Sequence, residues 1–236
     1  MTLARRLTAE GVGTALLLAA VVGSGIMGER LAGGNVALAL LANTLATGAV
    51  LVALILTFGP ISGAHFNPAV TLTEAWQGSL VWGEVPGYVV VQLIGAFVGV
   101  ALAHLMFEHP LFAISLHVRT GAAQLVSEFV ATFGLVAVIR GCGQRQATAF
   151  AVGAYIAAAY WFTASTSFAN PAVTLARAAT DTFSGIRPAD APGFIAAQVL
   201  GAATAAGLFA WLRPAPAETH RIVTTTAAAP RAQRQA

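Results

Sequence analysis

The string Asn-Pro-Ala-Val-Thr-Leu occurs twice in the sequence, as residues 67–72 and as residues 170–175. Asparagine is among the best helix N-caps and proline is favoured at the first helical position, so each copy predicts the start of a helix. A single Asn-Pro pair would be an ordinary loop turn. Two copies of the whole string indicate an internal repeat, and the fold can be derived from it.

Two further matches extend the repeat in the same order on either side of this string. Residues 10–14 and 128–132 share the pattern Glu-x-x-x-Thr. Residues 86–96 and 192–202 share Pro-Gly followed by an aromatic residue, then Gln, then Gly-Ala. Chance similarity between apolar segments does not explain three matches in one order, so the chain is predicted to consist of two related halves.

The composition is that of a membrane protein. Of the 236 residues 57% are hydrophobic and only 9% are charged, and the mean hydropathy is +0.77. A soluble domain carries roughly 25% charged residues, so most of this chain is predicted to lie in lipid. All twelve positively charged residues are arginines, and they are too scattered along the chain for a nucleic-acid partner to be expected.

Six apolar runs bounded by charge, Gly or Pro predict six membrane-spanning helices. They are residues 7–27, 36–58, 86–107, 125–139, 147–162 and 192–212. Each half holds three spans, and because three is odd the second half must enter the membrane inverted. We assign residues 1–113 to the first half and 114–213 to the second. Residues 214–236, rich in Ala, Pro, Thr and Gln, are predicted to form a disordered cytoplasmic tail.

Two further apolar segments, residues 67–76 and 170–179, are too short to cross. About ten residues at 1.5 Å rise cover ~15 Å, half of a ~30 Å core, so both are predicted to be re-entrant half-helices. Their N-terminal residues, Asn67 and Asn170, would meet near the midplane and offer side-chain amide hydrogens. Non-helical backbone at that depth is tolerated only where it is buried or lines a watery cavity. A polar passage is implied, and two helix N-termini facing each other would repel cations.

The arginines also predict the orientation. Arg5 and Arg6 precede the first apolar run, Arg140 and Arg145 flank a mid-chain loop, and four more follow residue 212. By the positive-inside rule these three places are cytoplasmic. We therefore expect both termini on the cytoplasmic side of the inner cell membrane.

Residues 62–71, Ser-Gly-Ala-His-Phe-Asn-Pro-Ala-Val-Thr, closely resemble the first signature of the major intrinsic protein family, the aquaporins and glycerol facilitators, and the resemblance extends over residues 5–213. It implies an all-α membrane fold of six spans and two half-helices, and a homotetramer in which each protomer has its own pore and needs no cofactor. Glu10 and Glu128 would then be loop scaffolds, a role that their symmetry favours over proton relay. The pore loops would be formed by Asn67, Pro68, Ala69, Asn170, Pro171 and Ala172.

The second signature of this family normally has an arginine directly after Asn-Pro-Ala, where this chain has Val173. Counting the other family positions from each Asn predicts a selectivity filter of Thr47, Ala158, Ser167 and Val173. Four small or medium side chains would leave a wide aperture without a guanidinium. Uncharged solutes larger than water should pass, including glycerol-like polyols. Bacterial members that resemble this chain at Val173 include channels associated with arsenic resistance, so arsenous acid and methylated arsenicals are also expected. The alternative is an ordinary water-selective aquaporin or glycerol facilitator.

Two residues near the filter keep two interpretations each. Arg177 lies four residues beyond Val173 on the same helix face, so it could restore positive charge at the outer mouth, or it could be a solvated or loop-pairing arginine, for example with Asp181. His65 is either a loop-packing residue or gate, or a metal ligand. No second His or Cys lies at ligand spacing, which favours the first interpretation, and no metal is expected.

Other function classes fit the sequence less well. A secondary transporter also uses inverted repeats, but it would need a coupling-ion site, and the chain has no paired carboxylates at the level of the Asn-Pro-Ala strings. No combination of nucleophile, base and orienting residue predicts an enzyme. A structural junction protein of the same family is the remaining rival. We expect the partners of the chain to be membrane lipid, water and small neutral solutes.

Overall fold

The computed structural model describes residues 1–212, so the predicted tail at 214–236 lies outside the described residues. Residues 1–212 contain eight α-helices and no strand, which confirms the all-α fold class. The helices are α1 (Leu3–Leu31), α2 (Val36–Ser62), α3 (Pro68–Trp76), α4 (Val85–Met106), α5 (Ala122–Gly141), α6 (Arg145–Phe162), α7 (Pro171–Arg177) and α8 (Ala191–Leu212). Short 3₁₀ turns, Trp82–Glu84 and Pro188–Asp190, lead into α4 and α8.

Five of these helices are long and apolar enough to cross a membrane, namely α1, α2, α4, α5 and α8. The sixth predicted span corresponds to α6, which has 18 residues and carries Gln146 and Thr148 in its first turns. These polar residues lower its mean hydropathy, so composition alone does not identify it. It nevertheless packs against α2 and α5 as a member of the bundle.

The two half-helices begin where the sequence predicts. Asn67 is the N-cap of α3 and Asn170 is the N-cap of α7, and each is followed by proline in the first helical turn. The Asn67 side-chain oxygen accepts a hydrogen bond from the Ala69 N–H at 2.9 Å, and that of Asn170 accepts from the Ala172 N–H at 3.0 Å. Helix α7 ends at Arg177, slightly earlier than expected.

Helices α1 and α4 pack at very short range, as do α5 and α8. A Cβ added at Gly95 would collide with the Gly11 carbonyl oxygen, and a Cβ added at Gly201 would collide with the Phe129 carbonyl oxygen. Small residues let helix backbones approach closely in lipid, where packing replaces the hydrophobic effect as the main attraction between helices. Both halves therefore use glycine at the same place for the same contact.

The helix ends lie on two faces. The face that carries the Arg6–Glu84 salt bridge is called the inner face, following the predicted orientation. The face that carries His104 is called the outer face. On the outer face, the loop between α4 and α5 is tied to the end of α7, since the N–H groups of Ala113 and Ser115 donate to backbone carbonyls there at 3.0 Å. This loop covers the outer end of α7.

Replacing Gly95 with alanine should destabilise the protein, because the added methyl group forces α1 and α4 apart. Overpacking of this kind costs about 1–3 kcal/mol, so the unfolding midpoint in detergent should fall by several degrees. Gly207→Ala in α8 is the matched control, because a Cβ there meets open space. A Gly95→Ala midpoint equal to that of the control would contradict the packing argument.

Candidate pore

The two loops that precede α3 and α7 are joined at the centre of the bundle. The Asn67 side-chain amide donates to the Ala169 carbonyl at 2.8 Å, and the Asn170 amide donates to the Phe66 carbonyl at 2.8 Å. Each amide has two N–H groups, so one remains on each asparagine after this cross-link. Because both asparagines line the central cavity, these hydrogens can be offered to a passing oxygen.

Glu10 holds the first loop in place. Its carboxylate is fully buried and accepts hydrogen bonds from the backbone N–H groups of His65, at 3.0 Å, and Phe66, at 2.7 Å. The Ser62 hydroxyl and the Gln92 amide donate to the same carboxylate. An ionised carboxylate can accept all of these bonds, which no neutral side chain of this size could do.

Glu128 has the equivalent contacts in the second half. Its buried carboxylate accepts from the N–H groups of Phe168, at 2.8 Å, and Ala169, at 2.9 Å, and from the Gln198 amide at 2.6 Å. Gln198 also donates to the Thr174 hydroxyl of α7. The positions of both glutamates fit the scaffolding role and leave no carboxylate oxygen facing the cavity.

The loops that these glutamates hold have an unusual backbone. Phe66 and Ala169, the residues directly before the two asparagines, have φ values of 48° and 49°. A non-glycine residue rarely adopts the left-handed region, and each such residue costs of order 1–3 kcal/mol unless its surroundings impose it. The N–H groups of both residues are bound by a buried glutamate, which supplies the compensating hydrogen bonds.

A cavity of about 270 Å³ runs past both asparagines, from Glu74 and Thr148 toward the inner end of the bundle to Arg177 toward the outer end. Its walls are stripes of residues that recur every three or four positions along the helices. The lining residues include Leu17 and Val21 from α1, Thr47, Leu51 and Ile55 from α2, Val70 and Glu74 from α3, Leu135 and Ile139 from α5, Thr148, Val152, Ile156 and Tyr160 from α6, and Val173 and Arg177 from α7. The wall is mainly apolar, with polar groups at the centre and at both ends.

Three of the four predicted filter residues line this cavity: Thr47, Ser167 and Val173. The structure does not bring Ala158 to them, because its side chain is exposed on the side of α6 that faces away from the cavity. Tyr160 is there instead, and its hydroxyl donates to the Thr47 hydroxyl at 3.3 Å. Ala158 was predicted by counting back twelve residues from Asn170, whereas the α6 residue that the structure brings to Thr47 lies two positions later, at Tyr160.

Arg177 lies inside the cavity and is 2% exposed. Its Nε donates to the Ser184 carbonyl, and its guanidinium stacks on the Phe168 ring, with Cζ 3.4 Å from the ring centroid. Asp181 accepts from the Leu116 N–H instead, so its predicted pairing with Arg177 is not seen in residues 1–212. Arg177 therefore lines the outer part of the cavity, and its role in charging the outer mouth stays a prediction.

His65 and Arg119 lie near the two loops. The His65 ring lines the cavity, with Nδ1 3.2 Å from the Thr71 hydroxyl. Residues 1–212 contain no cluster of three His, Cys, Asp or Glu side chains that could hold a metal. The sequence did not suggest Arg119. It donates to the Ser165 carbonyl at 3.2 Å, and its Cζ lies 5.0 Å from the centroid of the Phe168 ring. Burial lowers the pKa of Arg119 from its ordinary value.

Comparison with known proteins agrees with this geometry. The sequence matches the major intrinsic protein family over residues 1–146 and 140–235. It is 58% identical over 212 residues to the aquaglyceroporin AqpS of Rhizobium meliloti (strain 1021), covering 89% of this chain and 91% of that protein. It is 37% identical over 100 residues to a probable glycerol uptake facilitator of Thermotoga maritima, covering 37% of this chain and 43% of the relative.

A solved structure has the same fold. The X-ray structure of the aquaglyceroporin from Plasmodium falciparum superposes with a TM-score of 0.68, covering 89% of this chain and 95% of that one, at 20% identity. The chain therefore belongs to the major intrinsic protein family. It is a membrane channel and not an enzyme, as the sequence predicted.

Replacing Glu128 with glutamine should weaken the second loop. The amide has only one acceptor oxygen, and its NH₂ group would point at backbone or side-chain N–H donors that now bind a carboxylate oxygen. Losing charge-assisted hydrogen bonds of this kind costs about 1.5–3 kcal/mol each, so the unfolding midpoint and solute flux should both fall. The control is Glu84→Gln, which breaks a part-exposed salt bridge with Arg6 worth about 0–1 kcal/mol. Native stability and flux in Glu128→Gln would refute the scaffolding role.

Proposed function

We propose that the chain is a passive channel for small uncharged solutes larger than water: glycerol-like polyols, and neutral metalloids such as arsenous acid and methylated arsenicals. The observation that carries the proposal is that Thr47, Tyr160, Ser167 and Val173 all line the cavity, so that three hydroxyl groups and one apolar side chain are available for a filter. Tyr160 replaces Ala158 in this proposed filter.

The hydroxyl side of the constriction suits solutes with several hydroxyl groups. Ser167 lines the cavity, and its hydroxyl is buried without a hydrogen-bond partner among residues 1–212. A buried unpaired hydroxyl is unfavourable, and a change of the Ser167 rotamer toward the cavity would let it bind a polyol or a metalloid hydroxide. Val173 on the other side accepts methyl or methylene groups without loss of hydrogen bonds. A neutral, partly methylated oxyacid matches both sides.

The names of the relatives point the same way. AqpS and the protein from Plasmodium falciparum are both called aquaglyceroporins, and the protein from Thermotoga maritima is named for glycerol uptake. We extend polyol passage to this chain on that basis. The extension to metalloids rests on the constriction and on Val173.

The proposal includes the assembly and the topology expected from the sequence. Residues 1–113 and 114–213 form the two inverted halves, four copies assemble into a homotetramer with one pore each, and both termini lie in the cytoplasm beneath the inner cell membrane. The matching contacts of Glu10 and Glu128 support the division into halves, because each glutamate holds the loop of its own half.

Val173→Arg tests the filter directly. In proteoliposomes, stopped-flow permeability to glycerol and arsenous acid should fall at least about tenfold, because a guanidinium would fill the apolar side of the constriction, whereas water permeability should change little. The native channel should pass all three solutes. A native channel that passes only water would disprove the proposal.

The serious rival is an ordinary water or glycerol channel in which Arg177 takes the place of the missing filter arginine. Arg177→Ala, measured in the same assay, separates the two. On our proposal it alters solute flux less than Val173→Arg does, because Arg177 is stacked on Phe168 beyond the constriction. A sharper change in selectivity with Arg177→Ala than with Val173→Arg favours the rival.

Tyr160→Ala and Ala158→Phe form a matched pair that tests which α6 residue belongs to the filter. Removing the Tyr160 ring should widen the constriction and raise glycerol permeability several-fold, with a smaller effect on water. Adding a ring at Ala158 should leave both permeabilities unchanged, because this position faces outward. Loss of glycerol flux in Ala158→Phe with no effect of Tyr160→Ala would restore the original assignment.

A further inference from the structure

Each half-helix places one charged side chain on the cavity wall, seven positions after its N-cap asparagine. In α3 this residue is Glu74, and in α7 it is Arg177. Glu74 forms a salt bridge with Arg140, with Oε1 2.9 Å from Nη2, so the inner end of the cavity holds a neutral pair. Arg177 forms no salt bridge among residues 1–212. The wall of the described cavity therefore carries its unbalanced positive charge at the outer end.

The guanidinium of Arg177 is held in a fixed orientation. One face lies on the Phe168 ring, with Cζ 3.4 Å from the ring centroid, and Nε donates to the Ser184 carbonyl. Ser184 is itself fixed against α1, because its hydroxyl donates to the Val21 carbonyl at 3.2 Å. A Cβ added at Gly25 would collide with that hydroxyl, so glycine leaves the space for it. An arginine supported in this way loses little side-chain freedom when it binds a ligand.

These contacts leave the Nη edge of the guanidinium unused. Nη1 and Nη2 of Arg177 have no acceptor among residues 1–212, and neither nitrogen is sealed off by protein. Together they carry four N–H groups in one plane. Because Arg177 is 2% exposed and lines the cavity, these donors are accessible from the pore. A buried guanidinium without a carboxylate is unfavourable, so an anion that reaches it would supply both the missing charge and the missing acceptors.

The segments that pack around Arg177 add a positive charge and no unoccupied carboxylate. Arg119 lies near the same ring, with Cζ 5.0 Å from the Phe168 centroid, and it too forms no salt bridge among residues 1–212. Two arginines therefore share one aromatic ring without a bound carboxylate. The carboxylates of these segments have other partners: Glu128 accepts the loop N–H groups, Asp181 accepts from the Leu116 N–H at 2.9 Å, and Asp190 is bound to Arg187 at 2.7 Å.

We propose that the outer end of the cavity is a binding site for small oxyanions such as nitrate, and that a bound oxyanion blocks the passage of neutral solutes. Two oxygens of a planar oxyanion match the fork of Nη1 and Nη2 in Arg177, which can donate two parallel hydrogen bonds to them. Arg177 and Val173 lie on the same face of α7, so an anion held there stands in the path of a solute that approaches the filter residues.

The test is a block of neutral-solute flux, so it rests on the proposed channel function. Glycerol flux into proteoliposomes is measured by stopped flow in low-salt buffer, and again with ~100 mM sodium nitrate on both sides of the membrane. Nitrate should lower the flux through the native channel at least about twofold. Sodium chloride at the same concentration controls for ionic strength. It should lower the flux less, because a single-atom anion does not match the fork.

Three variants locate the site, and each is compared with its own flux in the absence of nitrate. Arg177→Gln removes the charge and the fork, so its flux should not depend on nitrate. Arg177→Lys keeps the charge but loses the fork, so nitrate should block it less than it blocks the native channel. Arg187→Gln is the matched control, since Arg187 is an arginine of the outer segments that is bound to Asp190 and does not line the cavity. Nitrate should block this variant as it blocks the native channel.

A direct binding measurement covers a variant that does not conduct. A ligand that binds only the folded state raises the unfolding midpoint, so nitrate should raise the midpoint of the native protein in detergent more than chloride does. In Arg177→Gln the two salts should have the same effect. In Arg187→Gln the difference between the salts should be native.

Three outcomes overturn the inference. One is a native channel whose flux and midpoint respond equally to nitrate and chloride. Another is a native response to nitrate in Arg177→Gln, which would place the anion elsewhere. The third is a nitrate current through the native channel in planar bilayers, because the anion would then pass instead of blocking. The proposed function fails on a different result: the native protein would pass neither glycerol nor arsenous acid. The unfolding midpoints would then still decide whether Arg177 binds nitrate.

Discussion

The backbone of the two re-entrant loops has to be hydrogen-bonded at a depth where lipid surrounds the protein and bulk water is absent. An unsatisfied N–H group costs several kcal/mol in such a place, and the loops cannot satisfy their own N–H groups because they are not helical. Glu10 and Glu128 do so from neighbouring helices. Buried carboxylates are themselves costly, so they persist only because each accepts several hydrogen bonds at once. The pore exists because these two groups are fully paired.

The close helix packing follows from this requirement. Gln92 on α4 has to reach the Glu10 carboxylate on α1, and it does so at 2.8 Å. Two helices joined by a side-chain hydrogen bond of this length must run close together. The contact of Gly95 with Gly11 allows this close approach. The glycine contacts and the buried polar groups are therefore one structural unit, because neither works without the other. The same dependence links Gln198 and Gly201 in the second half.

The sequence predicted the parts of this protein that follow from local chemistry and periodicity. The helix starts at Asn67 and Asn170 follow from capping preferences, and the half-helix stripe followed from helical spacing, which is why Arg177 was expected on the face of Val173. Ala158 was wrong because its position was counted through a loop, and loop length is not fixed by helix geometry. Thr148, Val152, Ile156 and Tyr160 follow one another at intervals of four residues and all line the cavity, so this interval would have identified the cavity face of α6. Arg119 could not be predicted, since its contacts depend on how a long loop folds back over α7.

Moving the arginine from position three to position seven of the half-helix changes what the guanidinium can do. Four residues at 1.5 Å rise place it ~6 Å farther from the centre of the pore. There the Phe168 ring supports it from one side, and in the proposed channel it would repel cations from the outer end, away from the proposed filter residues Thr47, Tyr160 and Val173. On the proposed function, charge exclusion and size selection, which the resemblance to the family assigns to one arginine, would be separated along the pore. A valine at position three then no longer requires giving up the positive charge.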